Sequence, residues 1–145
     1  MMRDCRHGFS LIETMIVVAI IAVLATIALP SYAAYIKRAH ILEAVARLSD
    51  ARARMEEYFL DQRSYLDDGG RCGVPAAAGA ADAFALTCAA TATTFTYTAT
   101  GDAGKGMEGF IYTIDQAGAK ATLSLPAPWS RTADCWTIRA DGLCG

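Results

Sequence analysis

Residues 8–30 read GFSLIETMIVVAIIAVLATIALP, and this stretch decides the fold. Phe9 to Leu29 is 21 residues, a helix of about 32 Å at about 1.5 Å per residue. That length matches a hydrocarbon core of about 30 Å. From Met15 to Leu29 the only polar side chain is Thr26. Arg3 and Arg6 precede the run, so the positive-inside tendency keeps residue 1 cytoplasmic and sends the bulk of the chain outward. An ordinary secretory signal carries its small-residue cleavage site after the apolar run. Here the run continues into LPSYAAYI and a helical pattern. The unusual residues lie before it or within its first turns: Gly8 directly precedes Phe9, and Glu13 follows. A carboxylate in such a segment costs about 2.5–3.5 kcal/mol at mid-helix and less near an interface. Glu13 therefore calls for a positive partner, which a single span lacks and another subunit would supply.

The string GFSLIE, the apolar run and Pro30 together resemble the N-terminal signature of type IV pilins and pseudopilins. The resemblance implies that a prepilin peptidase cuts between Gly8 and Phe9 and methylates the new Phe9 amine. It also implies that Glu13, fifth in the mature chain, pairs with the Phe9 amine of a neighbouring subunit during assembly. Residues 1–8 would be the removed leader, 9–29 the transmembrane and assembly helix, 30–66 an amphipathic continuation, and 67–145 the loop and sheet of a globular domain.

The chain has 145 residues, which supports one membrane segment and one small domain. Its composition is 54% hydrophobic with a net charge of −2. Removing residues 1–8 leaves 11 basic and 14 acidic side chains, a balance that offers no broad attraction to nucleic acid or anionic lipid.

Pro30 is expected to kink the helix rather than end it, because the periodic pattern resumes at once. Ile41, Val45, Leu48, Met55 and Phe59 form an apolar stripe at helical spacing. The stripe suits docking onto a sheet better than a coiled-coil seam, since Arg52 interrupts the heptad. Glu43 with Arg47 and Asp50 with Arg54 are i,i+4 pairs in the favourable order. Asp67, Asp68, Gly69 and Gly70 mark a turn. Ala76 to Ala83 reads as a loop or weak helix. Alternation over Thr94–Thr100, Phe110–Asp115 and Ala119–Leu125, with a further run at Trp136–Arg139, predicts an antiparallel sheet buried on one face. The expected class is α+β: a long N-terminal helix on a small antiparallel sheet with a disulfide-closed C-terminal region.

Five cysteines leave one odd, and Cys5 lies in the expected leader. Cys72, Cys88, Cys135 and Cys144 fit two disulfides in an oxidising compartment. Cys72–Cys88 with Cys135–Cys144 is the simplest of three connectivities. Zinc is the rival use of four cysteines, but no CxxC pair is present and export disfavours it. The segments MEEYFLDQRSYLDD, GFIYTIDQAG and CWTIRADGLC resemble PilE-type minor pilins.

His40 is the one histidine beyond the leader and sits among charged helix residues, so no Cys–His or Ser/His/Asp set can be assembled. No enzyme and no cofactor or metal are expected. The sequence reading is a minor pilin that meets other pilin subunits, the prepilin peptidase and the inner-membrane assembly machinery. The alternatives are a type II secretion pseudopilin, or a DNA-uptake or adhesion pilin.

Overall fold

The computed structural model describes residues 9–76 and 82–145. Gly8 and the rest of the leader lie outside the described residues, as do residues 77–81, on which most of the expected Ala76–Ala83 loop falls. The chain divides into two compact units, one ending at Ile36 and one covering Lys37–Gly145.

One α-helix, α1, runs from Leu11 to Gln62 with Pro30 inside it. Ser10 starts it: its hydroxyl accepts the Glu13 N–H at 3.2 Å, and its carbonyl accepts the Thr14 N–H at 3.2 Å. That is N-capping, with a side-chain oxygen satisfying a first-turn donor that has no intrahelical partner. At the other end Arg63 adopts a φ of 58° and donates its N–H to the Phe59 carbonyl at 2.8 Å. A left-handed residue there stops the helix. It ends four residues before the expected boundary at residue 66, and Ser64 and Tyr65 already belong to the following turn.

Four strands follow: β1 (Phe84–Ala90), β2 (Phe95–Gly101), β3 (Ile111–Asp115) and β4 (Lys120–Ser124). They form one antiparallel sheet in the order β1-β2-β3-β4. Phe95, Tyr97 and Ala99 of β2 point inward while Thr96 and Thr100 face out. Tyr97 stands opposite Cys88 on one side and Ile114 on the other.

The core of the second unit joins the helix stripe to the inner sheet face. Ile41, Leu48 and Met55 are fully buried, as are Phe95, Tyr97, Phe110 and Tyr112, all in one cluster. Val45 is buried too, and Phe59 packs at the edge against Tyr65 with ring centroids 4.4 Å apart. The stripe read from the sequence is the helix face in the core.

Three expectations need correction. β1 falls between the expected Ala76–Ala83 loop and the first expected strand, on residues for which the sequence reading assigns no element. Its outward positions Ala85, Thr87 and Ala89 and its terminal Ala90 give little hydrophobic contrast. Trp136–Arg139 is not a strand. Only an isolated bridge, Thr137 with Cys144, occurs there, made by the Ile138 N–H to the Leu143 carbonyl and the Gly145 N–H to the Trp136 carbonyl, and side chains hold the rest. Thr122 Oγ1 donates to the Cys135 carbonyl at 2.8 Å and accepts the Thr137 N–H at 2.9 Å. Tyr112 donates its hydroxyl proton to the Thr137 carbonyl at 2.9 Å, and Trp136 Nε1 donates to the Thr113 carbonyl at 2.8 Å. Finally, Arg47 turns to Asp82 at 2.6 Å rather than to Glu43, whereas Asp50 and Arg54 do pair, at 2.9 Å. The Asp82 carboxylate, at the entry to β1, is closer to the guanidinium than the exposed Glu43.

Candidate assembly site on the N-terminal helix

Within the first unit α1 is apolar and uncovered. Phe9 is 79% exposed, and Leu11, Ile12, Met15, Ile16, Ile20, Ile21, Leu24, Ile27 and Leu29 are all exposed. The stretch is long and apolar enough to cross a membrane by length and composition, and none of its most apolar window is buried. Bare side chains of this size favour a lipid or protein environment over water.

Glu13 lies in the first turn of α1. A helix N-terminus carries unpaired N–H groups and partial positive charge, which suits a carboxylate there. Ser10 and Glu13 have the spacing of a capping box, with the serine half of it formed. Sequence reasoning missed Ser10, although a serine three residues before a glutamate is itself a helix-start signal. Phe9 sits just outside the helix, one residue before its cap. Pro30 lies inside α1 and removes an N–H that the Thr26 carbonyl would otherwise accept. The Thr26 hydroxyl bonds back to the Val23 carbonyl at 2.7 Å.

In the second unit all four described cysteines are paired. Cys72–Cys88 has an S–S distance of 2.04 Å and Cys135–Cys144 one of 2.01 Å. The first bond ties the segment after α1 to β1. That segment is further fixed by the Tyr97 hydroxyl, which donates to the Val74 carbonyl at 2.6 Å, and by the Gly73 N–H, which donates to the Tyr65 carbonyl at 2.9 Å. Burial pushes the Tyr97 phenol up to about 12, and the Tyr112 phenol also rises, for the same reason. The Tyr65 phenol is raised by burial first and then by the Glu56 carboxylate, which accepts its hydrogen bond. The turn at Asp67 is organised by its own carboxylate. That group accepts the Gly69 and Arg71 N–H groups at 2.9 and 2.8 Å and is held below the usual carboxylate range, mostly by the Arg71 N–H.

Arg52 is half-buried. Its Nη2 donates to the Gln116 carbonyl at 3.4 Å, and its guanidinium lies against Gly118 in the β3–β4 turn. His40 is half-buried on α1. Among the described residues no three His, Cys, Asp or Glu side chains gather as a metal site. Cations without an ion pair among the described residues of the second unit include the neighbours Lys37 and Arg38 on α1, Arg52 beneath the β3–β4 turn and Arg63 at the helix end, with Lys105 on a 3-10 turn, Lys120 over Trp136 at 4.6 Å and Arg131 beyond β4.

A long helix carrying an exposed apolar half, followed by a four-stranded antiparallel sheet on its second half, is the type IV pilin architecture. It is similar to the solved non-core minor pilin PilV of Neisseria meningitidis, with a TM-score of 0.52 and 15% identity over 69% of this chain and 95% of that one. The chain belongs to the family described as "Type IV minor pilin ComP, DNA uptake sequence receptor", which matches residues 30–109. The prokaryotic N-terminal methylation motif matches residues 3–29. Relatives include the fimbrial protein EcpC of Eikenella corrodens, 38% identical over 52% of this chain and 50% of its own length. The type IV major pilin PilE of Neisseria gonorrhoeae is 38% identical over 50% of this chain and 44% of its own. The chain spans about half the length of the curated relatives it matches.

Proposed function

We propose that this chain is a structural minor pilin that enters or primes a type IV pilus through α1. The observation that carries the reading is the uncovered apolar run from Phe9 to Leu29 with one carboxylate, Glu13, in its first turn. A prepilin peptidase cuts between Gly8 and Phe9, and the new Phe9 amine is methylated. Before assembly the chain sits in the inner membrane as a single-pass precursor with residues 37–145 in the periplasm, where its cysteines pair. Pro30 bends the helix between its lipid-exposed and domain-bound parts. In the filament Glu13 meets the Phe9 amine of a neighbouring subunit, so the partners are other pilin subunits together with the peptidase and the inner-membrane assembly machinery. The role is architectural, a reading supported by the match to a minor-pilin family.

The test separates processing from assembly. Glu13→Ala is expected to leave a mature chain beginning at Phe9 by N-terminal mass analysis, while its recovery in sheared pili collapses. Normal recovery would sink the pairing argument, and a mature chain beginning elsewhere would sink the prepilin reading. A match to a pilus minor-pilin family favours the pilus over a secretion pseudopilus.

A second reading is favoured by that family's description, which names a DNA uptake sequence receptor. Against it stands the acidic balance of the chain beyond residue 8. Fluorescence anisotropy of the detergent-solubilised mature chain on duplexes of different sequence, at two salt concentrations, decides it. Sequence-dependent binding that weakens steeply with salt would establish the receptor reading.

A further inference from the structure

Past its apolar run, α1 carries aromatic and basic side chains that have no partner among the described residues. Tyr32 and Tyr35 are 65% and 69% exposed, and neither hydroxyl makes a hydrogen bond there. Lys37, half-buried, and Arg38, exposed, come next in the chain, and neither forms an ion pair among the described residues. No acidic side chain occurs between Glu13 and Glu43. At about 1.5 Å per residue, Tyr32 and Tyr35 lie roughly 4.5 and 9 Å along the helix beyond Leu29. At about 100° per residue, the four side chains spread over roughly 220° of the helix circumference.

We propose that residues 32–38 bind the headgroup layer of anionic phospholipids, on the side of the membrane that holds the rest of the chain. The proposal rests on the reading of residues 9–29 as a membrane span. That run already fills a hydrocarbon core of about 30 Å, so the hydrocarbon ends near Leu29. The two tyrosines then fall at headgroup level, where a side chain with an apolar ring and a polar tip is most favourably placed. Lys37 and Arg38 have stems long enough to lie along the helix and bring their charges to lipid phosphates. With no acidic side chain in the segment, nothing there repels a phosphate. The wide angular spread selects the occupant. A headgroup layer surrounds the helix and meets side chains on several sides, whereas a protein partner covers one face. A free phosphate would use the cations and leave the tyrosines idle. Anionic lipid therefore holds the precursor at a fixed depth, and entry into a filament has to exchange these headgroup contacts for others.

The experiment places the full chain in nanodiscs of mixed phosphatidylcholine and phosphatidylglycerol. Spin-labelled analogues of the two lipids report, by electron paramagnetic resonance, which of them is held against the protein. Phosphatidylglycerol is expected to be preferred. Lys37→Gln with Arg38→Gln should lower that preference by roughly two- to five-fold, up to the factor that one cation gains at an anionic surface. Lys105→Gln with Arg131→Gln removes the same charge elsewhere in the second unit and should leave the preference unchanged. No fall with the first pair, or an equal fall with both, overturns the proposal. It is also overturned if the first pair lowers recovery in sheared pili while the lipid preference stays the same, because the cations then serve a protein partner. In a second arm, Tyr32→Trp adds emission that brominated lipids quench. Bromines high on the acyl chain should quench it more than bromines near the chain end; the reverse order, or no quenching, overturns the headgroup placement. Release of the full chain from cell membranes by alkaline carbonate would overturn the membrane-span reading as well. A chain that stays in the membrane without a lipid preference overturns the proposal alone.

Discussion

Leu48 and Leu60 sit on the same helix and are expected to answer to different assays. Leu48 is fully buried between α1 and the sheet, whereas Leu60 is mostly exposed. Leu48→Ala removes three carbon atoms from the core, a transfer loss of about 2.4 kcal/mol at about 0.8 kcal/mol per methylene. The cavity left among Leu48's aromatic and aliphatic neighbours adds to this, for a total of about 3–5 kcal/mol. For a unit the size of Lys37–Gly145, about 4 °C per kcal/mol places the fall in midpoint temperature at roughly 12–20 °C. Leu60→Ala should move stability by no more than about 0.5 kcal/mol. The assay is urea and thermal unfolding of the mature chain in detergent micelles, followed by fluorescence of Trp129 and Trp136, both of which lie in this unit. A Leu48→Ala loss below about 1 kcal/mol, or a Leu60→Ala loss that equals it, would refute the assignment of the inner stripe to the core.

Three other perturbations have defined outcomes. The Tyr97 phenol is pushed up to about 12 by burial, above an unfolded value of about 10. Its stabilisation is therefore complete below about pH 10 and declines as pH rises through about 12. Tyr97→Phe should cost about 1 kcal/mol at neutral pH through the lost bond to Val74 and show a shallower alkaline decline in urea midpoint; an unchanged slope would count against the buried phenol. Gly101→Ala drives a methyl into the Met107 backbone carbonyl, which has no rotamer to yield, so a loss of about 2–3 kcal/mol is expected. Gly104→Ala on the same loop meets only the Asp102 side chain at 3.2 Å and should stay within about 0.5 kcal/mol in the same melts. Replacing Cys72 and Cys88 together by serine, or Cys135 and Cys144 together, should cost about 3 kcal/mol each on the chain-entropy account, slightly more for the longer loop. Equal stability of oxidised and reduced wild type would contradict it.

The parts legible in the sequence were those written in local pattern. The inner face of α1 repeats at helical spacing, and β2 and β3 alternate large apolar residues with threonine or charge. β1 escaped because its outward residues are alanine and threonine, so its alternation of Phe84 and Leu86 is too short to stand out. Trp136–Arg139 looked like a strand because its side chains are bulky and mostly buried. Its backbone, however, pairs with the C-terminal residues Leu143 and Gly145 and, at Thr137, with the side chains of Thr122 and Tyr112, a choice set by tertiary geometry. Arg52 read as a flaw in a heptad and is the cation under the β3–β4 turn. Arg47 read as an i,i+4 partner of Glu43 and instead reaches Asp82, 35 positions along the chain. At the candidate assembly site the Glu13 carboxylate is legible from its apolar surroundings. The serine that caps the helix ahead of it was overlooked, since its signal is only two residues in a string read for hydrophobicity.

The segment from Cys135 to Ile138 has a consequence for the order in which the molecule is finished. Buried polar groups on β3 and β4 obtain partners only from this stretch: Tyr112 and Thr122 through their hydroxyls, and Thr113 through its carbonyl. The four strands cannot satisfy these groups among themselves, so the sheet stays unsealed until residues synthesised after it arrive. The helix that anchors the chain is made first and the latch that completes the domain is made last. A chain lacking this stretch leaves the Tyr112 phenol, the Thr122 hydroxyl and the Thr113 carbonyl without the partners they have in the finished domain.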